Sequence, residues 1–157
     1  MKKILLVSPF FHPEKISTGL FNTKIVEGLE KKECVVDVWC SHPFYPLWKP
    51  KYSDNSDVGN NVKRMGGWVR YPKSLILRRF ILELWFCAAT ALRILKNRNE
   101  YDIIIAHVPP SLFTFPLFLF KKNSRLITLV ADLQSIHMGE GSSFLRKFII
   151  SFILPNQ

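Results

Sequence analysis

Three stretches of the chain place residues capable of chemistry where a ligand would meet them. The first is the turn at residues 8–19, which leaves an apolar run and opens a helical stretch at Thr18-Gly19. Free N–H groups at a helix start favour an anion, and a glycine there admits close approach of a ligand. Gly19 is therefore a candidate substrate-binding residue, with a tight turn as the plainer alternative. The second stretch is His107-Val108-Pro109-Pro110-Ser111, a strand end turning into a helix start. Its backbone amides could face a ligand, although the prolines remove two donors. His107 is a candidate catalytic group there, against the alternative of a hydrogen-bonded structural histidine. The third is Asp132, directly after a strand and followed by Gln134, Ser135 and His137. A carboxylate at a strand end can serve a reaction or cap the next turn.

The elements that must position these residues follow from apolar patterning. Residues 3–7 form a short continuous apolar run, as in a strand buried on both faces. Residues 20–32 read as a helix with Phe21, Ile25, Val26 and Leu29 on one face, and residues 34–40 (CVVDVWC) as a second strand. Residues 42–61 form a long loop rich in Pro, aromatic and polar residues, and 61–70 a strand interrupted by Gly66-Gly67. Residues 74–97 carry the longest helical pattern. Arg79, Glu83, Thr90, Arg93 and Asn97 form its narrow polar stripe, so the remaining circumference calls for cover by protein or lipid. A strand at 101–107, a helix at 111–120 containing Pro116, a strand at 125–131 and a helix at 144–154 complete the chain. This alternation predicts an α/β fold: a single Rossmann-like domain with a mostly parallel sheet and helices on both faces.

Composition narrows the classes of function. The chain has 157 residues, of which 48% are apolar and 13% aromatic, which fits one globular domain and excludes a disordered chain. Its formal net charge of +10 is concentrated at residues 61–99, where nine basic side chains meet only Glu83. Arg70, Arg78 and Arg79 in that segment are candidate contacts to an anionic partner, beside Trp68, Tyr71, Phe80, Trp85 and Phe86. Basic residues interleaved with aromatics suit a membrane interface at least as well as a polynucleotide, and an ordinary solvated basic face stays open. No RNP, zinc-finger or basic-heptad pattern occurs, so a nucleic acid partner is not expected.

Neither G-x-G-x-x-G nor a Walker A motif is present, so no intrinsic cofactor is expected. His12, His42, His107 and His137 lack ligand spacing, so no metal is expected. No G-x-S-x-G marks a serine hydrolase. Cys34, Cys40 and Cys87 form no C-x-x-C and read as free thiols of a reducing compartment. The start is too short in apolar length for a signal peptide, and charges interrupt residues 75–95 too often for a transmembrane span.

Pro43-Phe44-Tyr45-Pro46-Leu47-Trp48, Tyr101-Asp102, Pro109-Pro110-Ser111-Leu112-Phe113 and Asp132-Leu133 occur in an order and spacing that carry a resemblance. With the strand, Pro-rich turn, Gly and helix before them, they resemble the amino-terminal domain of GT-B glycosyltransferases of the family 4 type. The bacterial enzymes that build colanic acid, O-antigen and other surface polysaccharides are the most similar. The resemblance implies a retaining transfer of a sugar from a nucleotide donor to a lipid-linked saccharide. It makes Tyr45 and Trp48 acceptor-loop contacts and Asp132 a residue of the cleft; with the strand-end readings above, Asp132 and His107 are the candidate catalytic residues and Gly19 the point of close ligand approach. It also places the chain in the cytoplasm, peripherally on the inner face of the cell membrane. In that family a second Rossmann-like domain binds the sugar nucleotide, and its motif is missing here. The expectation is thus an acceptor-binding half, truncated or completed by a separate donor-binding domain, and inactive alone. The alternative is a non-catalytic basic α/β binding module for anionic lipid or nucleic acid.

Overall fold

Lys3–Val7 (β1) is buried from its second residue onward, the burial that a continuous apolar run requires of a central strand. In the computed structural model, which describes residues 1–52, 61–97 and 100–130, β1 lies between Val35–Ser41 (β2) and Ile103–Val108 (β4). Val62–Met65 (β3) pairs with β2 and Arg125–Val130 (β5) with β4, each in parallel. The order β3-β2-β1-β4-β5 makes a five-stranded, all-parallel sheet among the described residues. The α/β, Rossmann-like expectation holds. The chain builds outward through β3, then returns to the other side of β1, so the topological switch point falls between β1 and β4.

Alternate residues of β1 enter two cores. Ile4 and Leu6 pack with Val26 of Ser17–Glu30 (α1) on one face. Leu5 and Val7 pack on the other face with Phe86 and Ile94 of Leu75–Asn97 (α2) and Leu117 of Thr114–Phe120 (α3). Helices therefore cover both faces, as expected. On α1 the fully buried line is Gly19, Asn22 and Val26, while Phe21 of the expected apolar face is exposed. Asn22 can take a core position because both ends of its amide are hydrogen-bonded.

Two helices depart from the sequence reading. On α2 the buried stripe is Leu82, Phe86, Thr90 and Ile94, so Thr90 belongs to the core face and not to the polar stripe. Its hydroxyl finds no hydrogen-bond partner among the described residues, a desolvation cost that the burial of Leu82, Phe86 and Ile94 on the same stripe outweighs. Cover by protein is narrower than the pattern implies: Leu75, Ile76, Leu77, Phe80, Leu84, Leu92 and Leu95 are exposed. α3 begins at Thr114, later than residue 111, which puts Pro116 in its first turn, where no intrahelical N–H is needed.

Toward the amino ends of the strands, polar ties are structural. The buried Tyr101 hydroxyl donates to Asp37 at 2.8 Å, Lys3 lies 3.6 Å from the same carboxylate, and Ser124 donates to the Tyr101 carbonyl at 2.6 Å. All three cysteines are free thiols, and burial pushes Cys40 up to about 12, which leaves it inert. No helix of the described residues is long and apolar enough to cross a membrane. Asp132 and the helix expected at 144–154 lie outside the described residues.

Candidate functional site

The loops that follow parallel strands gather at one edge of the sheet, and there the described candidates meet. At the switch point, α1 faces the end of β4. Asn22 donates its side-chain N–H to the Phe10 carbonyl at 2.9 Å, and its Oδ1 lies 2.5 Å from Nδ1 of His107. The ring of Phe21 meets His107 edge-on at 5.7 Å. His107 is 2% exposed, and burial holds its pKa below the ordinary value, so the neutral imidazole is favoured.

Gly19 stands on the first turn of α1 for a reason internal to the chain. A Cβ there would lie 2.6 Å from the carbonyl oxygen of Glu14. The close approach is made by the turn's own backbone, which is the plainer of the two sequence readings. At the second place, the amides that could face a ligand are taken up from within the chain. The amides of Ser111 and Leu112 donate to the Glu83 carboxylate of α2 at 3.0, 3.1 and 2.8 Å. Glu83, the lone acid of the basic segment, thus caps the turn into α3 and is not free to balance its neighbours. Glu83→Ala is expected to lower stability by about 1 kcal/mol, the usual worth of a cap. Urea denaturation with an unchanged m-value would measure it, and no change in midpoint would contradict the role.

Across β2 and β3, the same edge carries an aromatic cluster. Phe44 stacks on Tyr71 with centroids 5.2 Å apart, and Trp48 meets Phe44 at 5.3 Å and Tyr71 at 5.2 Å. The Arg78 guanidinium, from the first turn of α2, sits 4.5 Å from the centroid of the Trp48 ring. Trp85 donates its indole N–H to the Tyr71 hydroxyl at 2.8 Å, which ties the cluster to the core beneath. Trp48 is held at φ 56°, a left-handed conformation that a bulky residue adopts only where its surroundings enforce it. Tyr45 is 48% exposed at the outer rim.

Glu14 holds this loop against the β1 turn. Its Oε1 accepts the amides of Phe44 at 2.6 Å and Tyr45 at 2.7 Å, while its Oε2 is buried without a hydrogen-bond partner among the described residues. Burial raises its pKa; the Tyr45 and Phe44 amides and the charge of Arg64 pull the other way. Arg64 donates to the carbonyls of His12 at 2.6 Å and Ser41 at 3.4 Å. One of the nine basic residues at 61–99 therefore binds backbone and adds less to the surface field than its count implies.

The structure brings together Gly19 with the His107 end of β4, through α1, and Trp48 with Arg78. Arg70 and Arg79 are exposed and stand apart from these contacts. The sequence reading missed Glu14, Asn22, Arg64 and Tyr71. Asn22 had a signal: a polar residue three after Gly19 and four before Val26, on the line that faces the sheet. Among the described residues, no group of three or more His, Cys, Asp or Glu stands close enough to hold a metal ion. No family model and no curated protein matches this chain.

Proposed function

We propose that this chain is the acceptor-holding domain of a glycosyltransferase that extends a lipid-linked saccharide in surface polysaccharide synthesis. The observation that carries the reading is the meeting of Trp48 and Arg78 at the sheet edge that also holds His107. Aromatic faces are electron-rich and suit the C–H faces of a sugar ring, and a guanidinium suits a diphosphate. The exposed ring of Tyr45 adds a second stacking surface. A neutral imidazole supplies a proton acceptor for a sugar hydroxyl. The nucleotide-sugar donor would be bound by a second domain, as in the enzymes the chain resembles, so residues 1–157 by themselves would bind acceptor without transferring to it.

The test is calorimetric titration with a water-soluble, short-chain prenyl diphosphate saccharide. Saturable binding is expected, weakened at least tenfold by Arg78→Ala and by Trp48→Ala with the fold intact by circular dichroism. Absence of binding by the wild-type chain, or turnover of a sugar nucleotide by the isolated chain, would refute the reading.

Peripheral attachment to the inner face of the cell membrane is part of the same proposal. Trp68 is 76% exposed and Ile76 77%, with Leu77 and Phe80 also bare, and Arg70, Lys73 and Arg79 lie between them in sequence. Apolar side chains with flanking cations favour an anionic bilayer surface over a polynucleotide, which would leave those side chains in water. The chain is expected to co-sediment with vesicles containing phosphatidylglycerol. Ile76→Ser with Phe80→Ser should release it, and retention on heparin without vesicle binding would favour the nucleic-acid alternative.

A further inference from the structure

Asn22 has no counterpart among the residues chosen for chemistry, yet its geometry determines what His107 can do. The Asn22 side chain is completely buried and oriented by the Phe10 carbonyl, which can only accept. The Asn22 nitrogen must therefore face Phe10, leaving Oδ1 toward His107 Nδ1 at 2.5 Å. An amide oxygen donates nothing, so the proton between the two atoms belongs to Nδ1. The backbone, not the histidine, settles the direction of the bond.

We infer that Asn22 is a positioning residue that fixes His107 in its Nδ1–H tautomer, making Nε2 the ring's proton acceptor for a ligand hydroxyl at the switch point between β1 and β4. The assignment of a hydroxyl ligand rests on the acceptor reading above; the tautomer does not. Burial is the cause that lowers the pKa of the ring, with no charged side chain contributing, so the lone pair persists at neutral pH. A purely structural histidine would take the same Nδ1–H tautomer from the same bond, so the tautomer permits a ligand at Nε2 without requiring one. An imidazole that accepts from a hydroxyl through Nε2 needs this one, because the other tautomer would present a donor.

Histidine-selective 15N spectroscopy of the intact chain, with the signal of His107 assigned by difference against His107→Gln, tests this directly. The expected wild-type result is a protonated Nδ1 and an unprotonated Nε2 at neutral pH. Observation of the Nε2–H tautomer would overturn the inference, whatever the chain binds. Asn22→Asp should keep Nδ1 protonated and raise the His107 pKa by about one unit or more, since a carboxylate beside the ring favours the charged form. An unshifted titration in a folded Asn22→Asp chain would equally overturn it. If that variant does not fold, the wild-type tautomer still decides. Titration with the short-chain acceptor should move the Nε2 resonance. Binding seen at Tyr45 and Trp48 with Nε2 unmoved would remove the hydroxyl role and leave the acceptor reading standing. The Nδ1–H tautomer in a chain that binds no acceptor would refute the functional reading while the positioning by Asn22 held.

Discussion

Glu14→Ala is expected to lower stability by about 2–4 kcal/mol and to free the loop that presents Tyr45 and Trp48. The carboxylate is 6% exposed and satisfies two backbone donors through one oxygen. Removing it strands the Phe44 amide in the interior and the Tyr45 amide at its margin, each costing about 1–3 kcal/mol. Phe44 is the hinge of the aromatic cluster, touching Phe10, Trp48 and Tyr71. Loss of the tie should therefore be read twice: in the denaturation midpoint, and in faster amide exchange at Phe44 and Tyr45. Glu14→Gln keeps an acceptor oxygen at the same place and should preserve slow exchange. If Glu14→Ala left both amides as protected as in the wild type, the carboxylate would not be what holds the loop.

The charge on Glu14 gives a second reading of the same site. Its pKa lies above the ordinary 4.5, chiefly through burial. A raised folded value means that the folded chain holds the proton more tightly than the unfolded chain. The contribution is then fully present below about 4.5 and is lost as the pH rises through the folded value. The stability of the wild type relative to Glu14→Gln should accordingly fall as pH increases across that window and level off above it. A difference that grew with pH would mean that the amides and Arg64 outweigh burial.

The sheet was legible because its signal is local. Runs such as residues 103–106 (IIIA) are apolar at every position, as suits a parallel strand covered on both faces. The helix α2 was legible in extent but not in orientation. Nearly every position is apolar, so the pattern could not say that Leu82, Phe86, Thr90 and Ile94, and not their neighbours, would meet the sheet. The site divides in the same way. His107 stood out by type and by place at a strand end, and Trp48 by the loop 43–48 that carries the resemblance. Glu14 and Asn22 did not, because their importance comes from partners 30 and 85 residues away in sequence. Gly19 shows the reverse: its position was found with two readings open, since nothing in a sequence says whether a bare Cα faces a ligand or the chain's own carbonyl, and the Glu14 carbonyl is what stands against it.

Gly66→Ala should be the most damaging small substitution at the site, although it touches none of the candidate ligand contacts. Gly66 ends β3 at φ 75°, a left-handed conformation that costs an L-residue about 1–2 kcal/mol. A Cβ there would also lie 2.4 Å from the six-membered ring of Trp85. That ring cannot swing aside cheaply. It packs against the core, meets Phe86 edge-on at 5.4 Å, and is pinned by its hydrogen bond to Tyr71. Overpacking of this kind adds about 1–3 kcal/mol. Displacing Trp85 withdraws the donor from the Tyr71 hydroxyl, and Tyr71 is what Phe44 and Trp48 pack against. The expected outcome is a loss of about 2–5 kcal/mol in total, together with weaker acceptor binding in whatever fraction remains folded. Gly28→Ala is the control: nothing lies within 4 Å of its added Cβ, and it sits in the interior of α1. That change should stabilise by about 0.5–1 kcal/mol, through helix propensity alone. Equal melting temperatures for the two variants would show that Trp85 yields, and that the aromatic cluster does not depend on the turn beneath it.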